Sequence, residues 1–330
     1  MVTAAESPEA TTAAAVERTR ERLTHLAYRI GERVINILPR SVVLPLAAAA
    51  GNAAFDLAGS KRDVVQGNLA HPMAGDPQDP AVRRAARRSF RAYGKYLVDM
   101  MRMAEMTPAT AERLVRIDNV EVLDEARAGG TGVLLCTVHV GGMDLLAPGL
   151  ARYGESLYVV ADDTTYGSLY EHLKEVRARH GLYVIGWRNL RGIYRALRDR
   201  QSLVLFCDGG FRHGDVPVEF LGEATTFPIG PASLSARTGA PIIPVACQRT
   251  EDDAYRARGL PLIRCASSKP AEIYRATQAL ADALGSVIRS DPAQWYMFRP
   301  VWPETDGDRA WARAALDAAR RGEDWGRISV

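Results

Sequence analysis

Long hydrophobic runs are missing from this chain of 330 residues. The longest charge-free stretch near its start, Ser41 to Phe55, has 15 residues. A helix needs about 20 to span a bilayer. Pro45, Gly51 and Asn52 also interrupt it. It reads as a helix packed on the core, or as a shallow membrane-surface contact helped by Arg33 and Arg40. The N-terminus has no basic segment followed by an apolar core, so no signal peptide is expected. The expected location is the cytoplasm, with peripheral contact at the inner face of the cell membrane as an option.

Cysteine is scarce as well. Cys136, Cys207, Cys247 and Cys265 lack CxxC spacing. They read as buried free thiols of a reducing compartment, not as a disulfide framework or a zinc site. No charge of one sign dominates: 42 Lys+Arg face 39 Asp+Glu, a net +3. Bulk charge therefore gives no ground for nucleic-acid binding. Lysine is nearly absent, with only Lys61, Lys95, Lys174 and Lys269. Either coding bias favours arginine, or forked donors are wanted for phosphate and carboxylate.

What is present is ordinary globular usage, 47% apolar and 25% charged. Residues 1–15 are small and polar and are expected to be disordered. Residues 16–330 are read as a single domain in three parts. Residues 16–110 form a helical N-terminal portion, broken near Pro39, Pro45 and between His71 and Pro80. Within it Ala81–Met106 has the three- and four-residue apolar spacing of an amphipathic helix. Residues 111–302 form an α/β core, and 303–330 a C-terminal helix. In the core, short apolar runs alternate with helical stretches. The runs are Val115–Ile117, Gly132–Val138, Leu157–Ala161, Leu182–Ile185, Ser202–Cys207 and Pro241–Ala246. This alternation predicts an α/β fold with a mostly parallel central sheet flanked by helices. Ligands of such sheets bind beyond the carboxyl ends of the strands, so the polar residues ending each run matter most.

The run Gly132–Val138 ends in His139-Val-Gly-Gly-Met-Asp144. Gly141 and Gly142 allow a sharp turn and a close approach to a ligand. The turn can bring Asp144 to His139, fix its tautomer and leave Nε2 as a base. No serine or cysteine stands as a nucleophile in this loop, so the base would activate a substrate hydroxyl or amine. A structural histidine fits the spacing equally. Ser202–Cys207 ends in Asp208-Gly-Gly-Phe-Arg-His213. If the strands are neighbours, Asp208 reaches the same crevice and orients the acceptor or the imidazole; otherwise it caps the loop. Arg212 is an oxyanion or phosphate contact or a surface residue, and His213 reads as surface. Cys136 is three residues before His139 and should face the other side of the sheet. His139, Asp144, Asp208 and His213 match no standard zinc spacing, so no metal is expected.

These residues form an ordered set. His139-x4-Asp144 is followed by Asn189-Leu-Arg-Gly-Ile-Tyr-Arg, Asp208-Gly-Gly and Val218-Glu-Phe-Leu-Gly222. Then come Thr226-Phe-Pro-Ile-Gly-Pro-Ala-Ser, Pro241-Ile-Ile-Pro-Val245 and Pro292-Ala-Gln-Trp-Tyr-Met-Phe-Arg-Pro-Val-Trp302. The set resembles the lysophospholipid acyltransferase superfamily, most closely its lipid A late acyltransferases and phosphatidylinositol mannoside acyltransferases, over residues 60–302. The resemblance implies acyl transfer from acyl-CoA or acyl carrier protein to a hydroxyl or amine of a lipid, glycolipid or small acceptor. It implies no cofactor beyond the thioester co-substrate and no covalent acyl-enzyme. It makes His139 the general base, Asp144 its partner and Asp208 an acidic active-site residue.

Two departures stand out. Near relatives usually carry Gly-Asn-Trp where this chain has Gly141-Gly142-Met143. Where relatives often place a phosphate-binding base, this chain has Asp162-Asp163. Two carboxylates there disfavour phosphate and suit an amine, or form a solvated loop. Arg188, Arg191, Arg195 and Arg198 are donor-phosphate or carrier-protein contacts, or a solvated helix face. A specialised-metabolite acyltransferase with a carrier-bound donor, and a thioesterase-like hydrolase, are the alternative readings.

Overall fold

A computed structural model describes residues 8–161 and 168–328. Asp162 and Asp163 lie outside the described residues. Four helices precede the first strand: α1 (Pro8–Ile37), α2 (Arg40–Leu57), α3 (Gly59–Met73) and α4 (Pro80–Arg102). Then follow α5 (Pro108–Leu114), β1 (Val115–Asp118), α6 (Glu121–Arg127), β2 (Val133–Thr137), α7 (Leu146–Ala151) and β3 (Leu157–Ala161). The chain continues with α8 (Ser168–Arg179), β4 (Leu182–Gly186), α9 (Leu190–Arg198), β5 (Ser202–Phe206), β6 (Val216–Phe220) and β7 (Glu223–Phe227). It closes with α10 (Gly230–Thr238), β8 (Ile242–Arg249), β9 (Tyr255–Gly259), α11 (Pro270–Ser290) and α12 (Asp306–Arg320).

The main sheet has seven strands in the order β1-β9-β8-β2-β5-β3-β4. Only the β8–β9 pair is antiparallel. The fold is therefore the expected α/β class with a helical N-terminal portion. All five residues of β2 are buried, as a continuous apolar run in a sheet covered on both faces requires. Leu134, Cys136 and Val138 pack on one face with Phe55, Leu69, Phe90 and Leu284. Val133 and Leu135 pack on the other with Met103, Leu123 and Leu146. All four cysteines are buried and free.

Several boundaries differ from expectation. Helix α1 begins at Pro8, inside the segment expected to be disordered; its Ala-rich start favours helix. Helix α2 runs through Pro45 instead of breaking there. The C-terminal helix covers Asp306–Arg320 and not all of 303–330. Strand β9, Tyr-Arg-Ala-Arg-Gly, was not expected. Its two arginines interrupt the apolar signal, yet Tyr255 and Ala257 alternate into the core.

Helix α1 presents two different faces. Its inner row holds α8 through Glu32, whose Oε1 lies 2.9 Å from His172 Nε2. Its outer row, Leu23, Leu26, Ile30, Val34 and Ile37, is exposed.

Candidate active site

Strands β2 and β5 are parallel neighbours, with Thr137 beside Phe206. The residues just past their carboxyl ends therefore meet. His139 Nδ1 lies 2.8 Å from Asp208 Oδ1. A carboxylate only accepts, so Nδ1 carries the proton. Asp208 Oδ2 accepts from the His139 backbone N–H at 2.9 Å and from Trp295 Nε1 at 2.8 Å. Burial pushes the Asp208 carboxyl up, but His139 and these donated bonds hold it below the usual carboxylate range. For His139, burial opposes the charged form, but the Asp208 charge and hydrogen bond outweigh it and raise its pKa above 6.5. The imidazole is tilted over Phe206, 4.4 Å between ring centroids.

Asp144 was expected to hold His139, and it does not. The turn carries it to the opposite wall, where its Oδ1 accepts from Arg177 Nε of α8 at 2.7 Å. Its Oδ2 accepts from the hydroxyl of Tyr96 on α4. Burial pushes Asp144 up, but Arg177 and Tyr96 hold it low. The orienting carboxylate is Asp208, because strand pairing fixes its distance while the glycine turn swings Asp144 away. Asp144 also raises the His139 pKa through its charge, but less than Asp208 does.

The turn has a tight seat. Gly141 has φ +59°, and a Cβ on it would run into the Cys247 carbonyl. A Cβ on Gly142 would run into the ring of Tyr255. The Gly141 N–H donates to Gln294 O at 3.0 Å, and the Gly142 N–H to Cys247 O at 2.7 Å. Tyr255 is fully buried, and its hydroxyl donates to Asp99 Oδ2 at 2.9 Å. Asp99 also accepts from Arg40 and Arg249. This buried cluster backs the turn from behind.

A cavity of 340 Å³ opens beside His139. Its walls are one face of the sheet, including Val159, Val184, Val204, Phe206 and Val245, with Leu146 and Tyr296 beside them. Most of these side chains are apolar; His139, Asp144, Arg177 and four tyrosines supply most of the polar groups. A wider groove of 840 Å³ between α3 and the β6–β7 hairpin does not include His139. The cavity at His139 gathers titratable groups beside an apolar wall and is the candidate active site. Cys136 packs with the opposite-face cluster, as its spacing required.

Other sequence candidates are not brought to this cavity. Arg212 is exposed, and its backbone N–H donates to Thr226 Oγ1 at 2.9 Å. Arg188 stacks on the exposed Trp187 ring, 4.8 Å from its centroid, and Arg191 is exposed on α9. Both lie past the carboxyl end of β4, outside the cavity lining. Asn189 caps α9 through Gly192 N–H at 2.9 Å. His213 is 2.7 Å from Asp308 on α12. Three site residues escaped sequence reading. Trp295 stands inside a quoted motif, which was its only signal. Tyr96 and Arg177 stand in helices with nothing in their spacing to mark them.

The comparisons with known proteins agree with this architecture. The profile of the bacterial lipid A biosynthesis acyltransferase family matches residues 11–304. A phosphatidylinositol mannoside acyltransferase of Mycolicibacterium smegmatis is 28% identical over 297 residues, 88% of this chain and 95% of that protein. One from Mycobacterium tuberculosis is 31% identical over 221 residues, 65% of this chain and 69% of the relative. A match over that much of the chain, with helices, sheet and strand-end histidine inside it, leaves one assignment: this acyltransferase belongs to the bacterial lipid A biosynthesis acyltransferase family.

Proposed function

We propose that the enzyme moves an acyl chain from a thioester, acyl-CoA or acyl carrier protein, to a hydroxyl of a glycolipid, with His139 as general base held by Asp208. The carrying observation is the imidazole, oriented through Nδ1 by a buried carboxylate at the mouth of an apolar cavity. Nε2, on the far side of the ring, has no partner among the described residues. It takes the acceptor proton as the acceptor oxygen attacks the thioester carbon. The tetrahedral intermediate then expels the thiolate, which recovers the proton from the imidazolium. Cys247 lines the cavity, but burial pushes its thiol up to about 12, so it stays protonated and a poor nucleophile. The acceptor class follows the relatives' names, which specify phosphatidylinositol mannoside.

Thiol release from a panel of acyl-CoA and acyl-carrier-protein thioesters tests this reading. Release is expected to depend on added glycolipid. Acceptor-independent release at catalytic rates would make the protein a thioesterase instead.

We further propose that α1 and α2 rest on a lipid surface. No single helix among the described residues is long and apolar enough to cross a membrane. Of the 13 exposed large hydrophobic residues among those described, however, eight lie between Leu23 and Leu57. On α2 they are Val42, Leu46 and Leu57, the last 85% exposed, with exposed Ala49, Ala50, Ala53 and Ala54 between. Burying a large apolar side chain is worth about 1.5–3 kcal/mol, so each lost contact weakens binding roughly tenfold or more. Leu46→Glu and Leu57→Glu together are expected to abolish co-sedimentation with anionic phospholipid vesicles. Retained co-sedimentation would remove this face from the interface.

A further inference from the structure

We propose that Leu157 and Leu182 form the floor of the acyl cavity and cap the length of donor chain it buries at about 14 carbons, scaled from the six carbons of benzene in a 150 Å³ cavity. This rests on the acyl-transfer reading above. The cavity holds 340 Å³, which at that packing gives the carbon limit.

Its direction follows from the strands. His139 and Phe206 lie at the carboxyl ends of β2 and β5, where the reaction takes place. Leu157 and Leu182 are the first residues of β3 and β4, pair in register, and also line the cavity. The cavity-facing residues of β3 include Leu157, Val159 and Ala161. Four steps along a parallel strand give a depth of about 13 Å.

What lies beneath closes the floor. Glu155, two residues before Leu157, is buried and paired with Arg127. Ser202, the β5 register partner of Leu157, donates its hydroxyl to Glu155 Oε2 at 3.3 Å. A methyl terminus pushed past the two leucines would meet a buried, paired carboxylate. Parting such a pair leaves an uncompensated charge in the interior. The chain end therefore stops at the leucines, and longer donors leave methylenes outside.

Titration calorimetry with free saturated fatty acids from decanoate to stearate reads the cavity without turnover. Affinity is expected to rise about fourfold per methylene, the fold-change of ~0.8 kcal/mol, and to level off near 14 carbons. Leu182→Ala deepens the floor and should move the break to longer chains. Val159→Phe fills the middle of the cavity and should move it to shorter ones. Thermal melts check that each variant folds, and if Leu182→Ala does not, Val159→Phe carries the test. An affinity that keeps rising through stearate, or an unmoved break in the folded variants, overturns the proposal. The expected break with no thiol release from any thioester would uphold the floor and overturn acyl transfer instead.

Discussion

His139→Ala is expected to lower acceptor-dependent thiol release by about 10²–10⁴-fold, the worth of a positioned general base. Asp208→Asn should approach it, although it changes a single atom. The carboxylate accepts from His139 Nδ1, the His139 backbone and Trp295 Nε1. An amide has one accepting oxygen, so at least one of these donors is left facing an NH₂ group. The imidazole then loses the bond that fixes its tautomer. The pH profile separates this from loss of fold. With the neutral imidazole as the proposed base, the rate is expected to fall as pH drops through the His139 pKa, which is raised above its ordinary value. Asp208 is the main raising influence, while burial and Arg299 act downward. Asp208→Asn should therefore lower kcat and move the acid limb to lower pH. In Asp144→Asn the limb should stay near its wild-type position, because Asp144 is spent on Arg177 and Tyr96. An acid limb that moves with Asp144 and not with Asp208 would reverse the assignment of the two carboxylates.

Gly142→Ala adds one methyl group and is expected to lower kcat by about 10²-fold or more, with a small change in KM. The added carbon meets the ring of Tyr255, and that ring cannot retreat. It is fully buried, and its hydroxyl is fixed by Asp99 and Arg249. The turn must shift instead, carrying His139 and Asp144 with it. A misplacement of about 1 Å is enough for a loss of that size. The Tyr255 ring occupies the space that any side chain at position 142 would need. Tyr255→Leu in the Gly142→Ala background should restore part of kcat, and a double-mutant cycle measures the coupling. Additive losses would show that the two residues do not share this space.

Much of this was legible in the sequence. The runs Leu157–Ala161 and Ser202–Cys207 became strands within a residue of their expected ends, because buried parallel strands are continuous apolar segments. His139 and Asp208 were legible as neighbouring candidates because both stand where such runs stop, and a parallel sheet gathers those ends at one edge. Strand β9 was hidden by arginines that point away from the core on alternate residues.

Fold class and family were legible in the sequence, and so was His139 as a candidate, since these rest on local periodicity and ordered motifs. Which carboxylate serves that histidine was decided by tertiary structure alone. Spacing along the chain favoured Asp144, five residues away, but the glycine turn sends it towards α4 and α8. Pairing of β2 with β5 brings Asp208, 69 residues distant, within 2.8 Å. Tyr96, Arg177, Trp295 and Tyr255 joined the site in the same way. Each comes from a separate element, and only the packing of those elements brings them together.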